Sequence, residues 1–311
     1  MSEGNNWEKD VLTSIATEGL KEQKSTRRWG IFFKLLTFVY LFALLAIINP
    51  GLQDADSKGG KHTALVDLKG VIAPGAEASA DNVITGLRSA FKDPDTAGVI
   101  LRINSPGGSP VQSGYIYDEI LRLREKYPDM PMYAVISDIC ASGGYYVAAA
   151  AEKIYADQAS IVGSIGVRMD NFGFVGAMKK LGVERRTLTS GKNKALLDPF
   201  APEDQTVVNH MRSLLKSVHN QFINAVKQGR GDRLKEVDGM FEGLIWTGDQ
   251  SVEIGLIDEL GNSSFVAREV IGEEKIVKFT VEPDLFERFS KKIGAQMSAL
   301  LLEKEMLLQL R

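Results

Sequence analysis

The sequence predicts an α/β fold with a largely parallel sheet, preceded by one N-terminal transmembrane helix. Two patterns predict the sheet and one the helix. From residue 63 onward, apolar runs rich in branched residues alternate with helical segments of ten to sixteen residues. Such alternation is the pattern of βαβ units. The runs end in Gly-, Pro- and Ser-bearing loops, "SPGGSP" and "CASGG". In parallel sheets, chemistry gathers at these C-terminal strand ends. Near the N-terminus lies a long stretch with a single charge, Trp29–Ile48.

That stretch, "WGIFFKLLTFVYLFALLAII", has 20 residues, enough to cross the ~30 Å hydrocarbon layer as a helix. Its one charge, Lys34, sits near the start, where a long side chain reaches the headgroups. Lys21, Lys24, Arg27 and Arg28 precede it, and only Lys58 and Lys61 follow in the next stretch. The charge bias places the N-terminus in the cytoplasm and the remainder on the other side. A buried core helix would be shorter and more polar. A removed signal peptide would have a shorter charged region and a small-residue cleavage site, and Pro50 and Gly51 follow instead. The expected organisation is a loose cytoplasmic tail over 1–28, an anchor over 29–48, a linker over 49–62, an extracytoplasmic domain over 63–282 and a helical C-terminal tail over 283–311.

Of 311 residues, 44% are hydrophobic and 25% charged, as in ordinary folded proteins. The net charge of −3 gives no reason to expect a nucleic-acid partner. The single cysteine, Cys140, excludes an internal disulfide. No tandem repeat or low-complexity tract is present.

"TALVDLKGVIA" reads as the first strand of the globular part. "SADNVITGLRSAFKD" reads as a helix capped by Ser79 or Asp81. "AGVILRIN" is a buried strand, "SPGGSP" a loop, and "VQSGYIYDEILRLREKY" an amphipathic helix with Ile116, Ile120 and Leu123 near one face. "MYAVIS" is a third strand and "ASGGYYVAAAAE" the next helix; "KIYADQASIVGSIGV" returns to strand and turn. A strand is expected before the loop Thr189–Phe200. A long helix follows through "EDQTVVNHMRSLLKSVHNQFINAVKQGRG", and "EKIVKFTV" is a late strand. Leucines spaced by seven in "MSALLLEKEMLLQL" form a stripe for a core, a partner or a membrane surface.

Ser142 lies where a buried strand gives way to a small-residue helix, followed by Gly143 and Gly144. A helix cap is the ordinary role for such a serine. Its place at a strand end, beside glycines that allow close backbone approach, also suits a nucleophile. A nucleophilic serine needs a base. His62 falls in the linker; His210 and His219, nine residues apart on one helix, face opposite sides and read as solvated. Lys192 and Lys194 of "TSGKNKALLDPF" are the other candidates, and local geometry does not choose between them. A lysine base must shed its proton, and a dry pocket favours that form. Gly107 and Gly108 of "RINSPGGSP" can aim backbone N–H groups at a carbonyl oxygen, or form only a tight turn. A phosphate loop is the rival, but the G-x-x-x-x-G-K-[ST] pattern is absent.

Together, "RINSPGGSP", "ASGGYYVAAAAEKIYA", "GSIGV", "TSGKNKALLDPF" and "WTGDQSVEIGLIDELG" resemble the bacterial signal peptide peptidases of the protease IV type, short single-domain form. The motifs appear in family order across roughly residues 63–275. The resemblance implies the Clp protease/crotonase-like fold of repeated ββα units and peptide hydrolysis by a Ser/Lys dyad. It assigns Ser142 as nucleophile, Lys194 as general base and Ser164 as the residue orienting the lysine. Gly107, with Gly108, would supply the oxyanion N–H, and Lys192 would be a bystander. It further implies no cofactor, a homo-oligomeric ring (an octamer in the short form) with the dyad shared between neighbours, and signal peptides and other apolar peptides at the membrane as substrates. Two alternatives stand beside it: a crotonase-type acyl-CoA enzyme, and an inactive membrane scaffold of the same fold.

Overall fold

The computed structural model describes residues 6–48 and 60–281, which fall into two units divided between Gly59 and Gly60. In the first, a single helix α1 spans Asn6–Ile48. Residues 6–28, expected as a loose tail, are therefore helical. The stretch has no proline and its one glycine before Trp29, Gly19, does not break the helix. Among the described residues no helix is long and apolar enough to cross a membrane. The side chains of 44–48, the apolar end of the expected span, are outside them. Most of the linker 49–62 and the C-terminal tail 283–311 also lie outside the described residues.

The second unit is built on strands β1 (His62–Lys69), β2 (Thr96–Ser105), β3 (Met132–Ala141), β4 (Lys153–Ala156) and β5 (Ile161–Gly163). Helices α2 (Ala80–Lys92), α3 (Pro110–Lys126) and α4 (Gly143–Ala148) alternate with them. After the short helix α5 (Val175–Leu181) come the long α6 (Gln205–Arg230), β6 (Ile245–Thr247), α7 (Gly248–Glu253), β7 (Glu259–Leu260), α8 (Ser263–Phe265) and β8 (Ile276–Lys278). The sheet order is β6-β5-β3-β2-β1-β8, with β4 pairing both β3 and β7. Every pairing is parallel except β5 with β6. The mixed α/β class is as expected. Where repeated ββα units were expected, single strands alternate with helices through α4, and two strands follow one another first at β4–β5.

Strand alternation divides the core. Val66, Leu68, Leu101, Ile103, Ala134 and Ile136 face the helices, meeting Leu87, Ile116, Val147 and Phe222. Leu65, Ile100, Tyr133 and Val135 face the opposite side, beneath Val266 and Ala267. Each fully buried branched side chain contributes about 1.5–3 kcal/mol. α2 begins at Ser79, whose hydroxyl accepts from the Asn82 N–H, and buries Val83, Leu87 and Phe91 at helical spacing. α3 begins at Ser109 with Pro110 in its first turn, where a missing N–H is harmless.

Two expectations are corrected. His62 is not linker: it opens β1, fully buried, with Nε2 3.4 Å from Thr96 Oγ1. No strand precedes the Thr189–Phe200 loop. Antiparallel β6 already occupies the free edge of β5, and residues 183–188, with Arg185 and Arg186 in mid-run, have no sheet neighbour.

Glu119 on α3 ties two helices, accepting from Arg122 Nη2 at 2.6 Å and from Arg88 Nε of α2 at 2.7 Å. The Arg122 hydrogen bond, then that of Arg88, overcomes burial and holds its carboxyl down at about 2, from an ordinary 4.5. A carboxylate with a depressed folded pKa contributes stability above its unfolded value and loses it as pH falls towards the folded one. Glu119→Gln is thus expected to lower unfolding free energy by about 1–3 kcal/mol at pH 7. The gap to wild type should narrow between 4.5 and about 2. Urea titrations across that range measure it; a pH-independent gap would show that the pair's charge is irrelevant.

Candidate active site

β2 and β3 end side by side because their register shifts between Ile103 and Ser105. Ile103 pairs with Ile136, but Ser105 pairs with Cys140. Extra residues in β3 form a bulge, a device that re-aims the chain beyond it. It delivers the backbone after Ala141 beside the glycine loop after Ser105.

Ser142 sits at that junction with φ 51° and ψ −124°, in the left-handed half of backbone space that side-chain-bearing residues avoid. Its N–H donates to Gly163 O at 2.8 Å and its carbonyl accepts from Tyr146 N at 3.0 Å. The hydroxyl makes no capping hydrogen bond to α4, so Ser142 does not act as an ordinary cap. The backbone strain is held by the sheet, and such strain collects at functional positions. Tyr145, in the first turn of α4 and fully buried, anchors the helix by donating to Leu256 O at 2.7 Å.

Ser142 opens into a cavity of about 1050 Å³ that it shares with Gly107, Gly108, Gly143 and Ser164. Val111, Tyr115, Tyr146 and Phe222 give the cavity an apolar part, and Asp118, Arg168, Gln221 and Glu242 a polar one. Gly107 and Gly108 both have positive φ, and this loop packs onto the serine. A Cβ on Gly107 would lie 2.7 Å from Gly143 N and 2.8 Å from Ser142 Cβ, and one on Gly143 would lie 3.2 Å from Gly108 N. Only glycine allows that approach.

The expected Gly107 donor is already engaged: its N–H donates to Ser105 Oγ at 3.1 Å. Among the described residues the N–H groups of Gly108 and Gly143 have no partner, and the two glycines pack closely, a Cβ on Gly143 lying 3.2 Å from Gly108 N. Sequence reasoning did not single out Gly143 as a donor, though its place directly after the serine was the available signal. Ser164, at φ 53°, is fixed by its N–H donating to Leu244 O at 2.7 Å.

Lys194 is exposed, in a turn where its N–H donates to Gly191 O at 3.1 Å, and it does not line this cavity. Its neighbours Ala195 and Leu197 line a separate one. Within one chain the structure thus brings Ser142, Ser164, Gly107 and Gly108 together and leaves Lys194 apart. His210 is exposed, as expected, but His219 is half-buried with Nε2 3.2 Å from Ile165 O, and it is absent from the cavity wall. Cys140 is no competing nucleophile: it is buried, and burial pushes its thiol pKa up.

A serine strained at a strand end, two neighbouring backbone N–H groups without partners and a cleft with apolar side chains beside it are the parts of an acyl-transfer centre on a mainly parallel α/β frame. Comparison with known proteins agrees. The model of peptidase family S49 matches residues 124–276, a span containing Ser142, Ser164 and Lys194. The putative signal peptide peptidase SppA of Enterococcus faecium is 30% identical over 243 residues, covering 75% of this chain and 70% of that protein. Protease 4 of Haemophilus influenzae is 31% identical over 203 residues, 64% of this chain and 32% of that protein. A Brucella abortus protein named Na(+)/H(+) antiporter NhaA is 42% identical over 192 residues, 62% of this chain. The chain spans 26% of the length of that relative and of its Brucella melitensis counterpart. The chain belongs to peptidase family S49.

Proposed function

We propose that this chain is a membrane-anchored serine endopeptidase that cuts apolar peptides, signal peptides left in the membrane among them. The observation that carries the reading is Ser142: strained, uncapped and lining a large, partly apolar cavity near two N–H groups without partners. Ser142 attacks the scissile carbonyl. The N–H groups of Gly108 and Gly143 receive the developing oxyanion, which binds them more strongly than the ground-state carbonyl does.

Lys194 of a neighbouring copy acts as base, oriented by Ser164. Its exposure supports a dyad completed between subunits, as do the apolar side chains left uncovered on the same segment: Phe172 is 72% exposed, Leu181 77% and Leu188 100%. A homo-oligomeric ring, an octamer in this reading, covers them. The anchor is Trp29–Ile48, whose Phe32, Phe38 and Phe42 are exposed, with the N-terminus cytoplasmic and the peptidase unit outside the cell membrane. The substrate class follows from the apolar cleft, from the anchor's location and from the name of the Enterococcus relative.

The test is turnover of a fluorogenic apolar peptide by the full chain in detergent, with fluorophosphonate labelling mapped by mass spectrometry. Cleavage and a single label on Ser142 are expected. An assembled protein that neither cleaves nor labels would overturn the peptidase reading in favour of the scaffold; coenzyme A binding in its place would favour the acyl-CoA enzyme.

A further inference from the structure

We propose that Ser105 is a positioning residue that holds the oxyanion loop in its working shape, an inference that rests on the peptidase reading. Ser105 is the last residue of β2 and fully buried. Its hydroxyl stands between two backbone groups. Oγ donates to Gly70 O at 2.6 Å, and accepts from Gly107 N at 3.1 Å. One side chain thus links the end of β1 to the glycine loop. The loop is fastened a second time by Ile72, whose N–H donates to Gly107 O at 2.9 Å and whose carbonyl accepts from Ser109 N at 2.8 Å. With Gly107 held at both its N–H and its carbonyl, the next N–H, that of Gly108, is the one left without a partner, and it lies against Gly143.

Ser105 also borders the nucleophile's helix. A Cβ on Gly144 would lie 3.0 Å from Ser105 O and 3.4 Å from Ser105 Cβ. The same residue therefore sets the spacing between the two elements that carry the two oxyanion donors. An alanine here would leave a buried N–H, that of Gly107, and a partly buried carbonyl, that of Gly70, without this partner. The loop would then relax by turning Gly107 N–H towards the cavity, which moves Gly108 out of line. A displacement of that kind weakens the interaction with the transition state and leaves ground-state binding by the apolar walls alone.

The test uses the full chain in detergent with the fluorogenic apolar peptide, active sites titrated by fluorophosphonate, and a peptide boronate as the tetrahedral analogue. For Ser105→Ala, kcat per titrated site should fall about 10- to 100-fold, less than the ~10²–10³ expected on losing an oxyanion donor outright. KM should stay within about twofold, and the boronate should bind more weakly in proportion to kcat/KM. Ser105→Thr, which keeps Oγ, should recover kcat to within about threefold of wild type. Should Ser105→Ala fail to fold, Ser105→Cys, of similar volume but a weak acceptor, takes its place with the same expected pattern.

Wild-type kcat and boronate affinity in the alanine or cysteine variant would overturn the inference. So would a loss accounted for by fewer titrated sites, the mark of a structural role only. A wild type that cuts nothing overturns the peptidase reading itself, whereas wild-type turnover with an indifferent Ser105 overturns this inference alone.

Discussion

Ser142→Ala is expected to abolish peptide cleavage while leaving the fold and assembly intact. In the folded protein the hydroxyl makes no capping hydrogen bond to α4, so its removal leaves no N–H of that helix newly orphaned. Ser142 stays at φ 51° because its N–H is held by Gly163 O and its carbonyl by Tyr146 N, contacts an alanine keeps. Alanine bears the same positive-φ strain as serine, so the unfolding free energy should move by less than about 1 kcal/mol. Catalysis, by contrast, loses its nucleophile. In serine peptidases that act through a covalent intermediate, removing the nucleophile reduces kcat on the order of 10⁶, leaving the contribution of the oxyanion groups and binding. The fluorogenic signal should fall to background and the fluorophosphonate label should vanish. Turnover near the wild-type rate would refute the assignment of Ser142, whatever the rest of the cavity looked like.

Different kinds of physics decided which parts of this arrangement could be read from the sequence. Local patterns were legible. The α2 periodicity after Ser79, the branched runs at β1 and β2, and the amphipathic pattern of α3 each declare their element within a few residues, although Pro110, read as loop, is the first residue of α3. The strand-end position of Ser142 was legible for the same reason. Features set by pairing at a distance escaped. His62 is buried because β1 lies between β2 and β8, which a reading of the neighbouring linker residues cannot show. The strand expected near residues 183–188 was displaced by β6, far later in the chain, taking the edge of β5. His219 meets Ile165 O across a 54-residue separation. In the site, the bond between Ser105 and Gly107 is short in sequence, but it depends on the side chain turning inward at the end of β2, opposite the bulge in β3. Motif spacing could nominate the glycine loop; it could not tell which of its N–H groups was already engaged.

Lys194→Ala should be as inactive as Ser142→Ala, whereas Lys192→Ala should keep a substantial part of wild-type activity. Serine attacks only as its proton leaves, and no histidine lines the cavity to take it. Asp118 and Glu242 are the carboxylates in that wall, and neither lysine lines it within one chain, so Lys194, the proposed base, has to reach Ser142 from outside the wall. This makes a mixing experiment decisive. Ser142→Ala subunits retain an intact Lys194, and Lys194→Ala subunits retain an intact Ser142. If the dyad forms between neighbours, a ring assembled from both holds some sites with two wild-type partners, and activity returns. In a random equal mixture, a site needs one particular variant on each side, so recovery should approach about a quarter of the wild-type rate per subunit. If the dyad formed within a chain, every site would lack one partner and the mixture would stay at background. Confirmed mixed assemblies with no recovery would thus return Lys194 to its own chain's Ser142 and require a movement of residues 189–200 into the cavity. Recovery would instead identify assembly as the step that completes the active site.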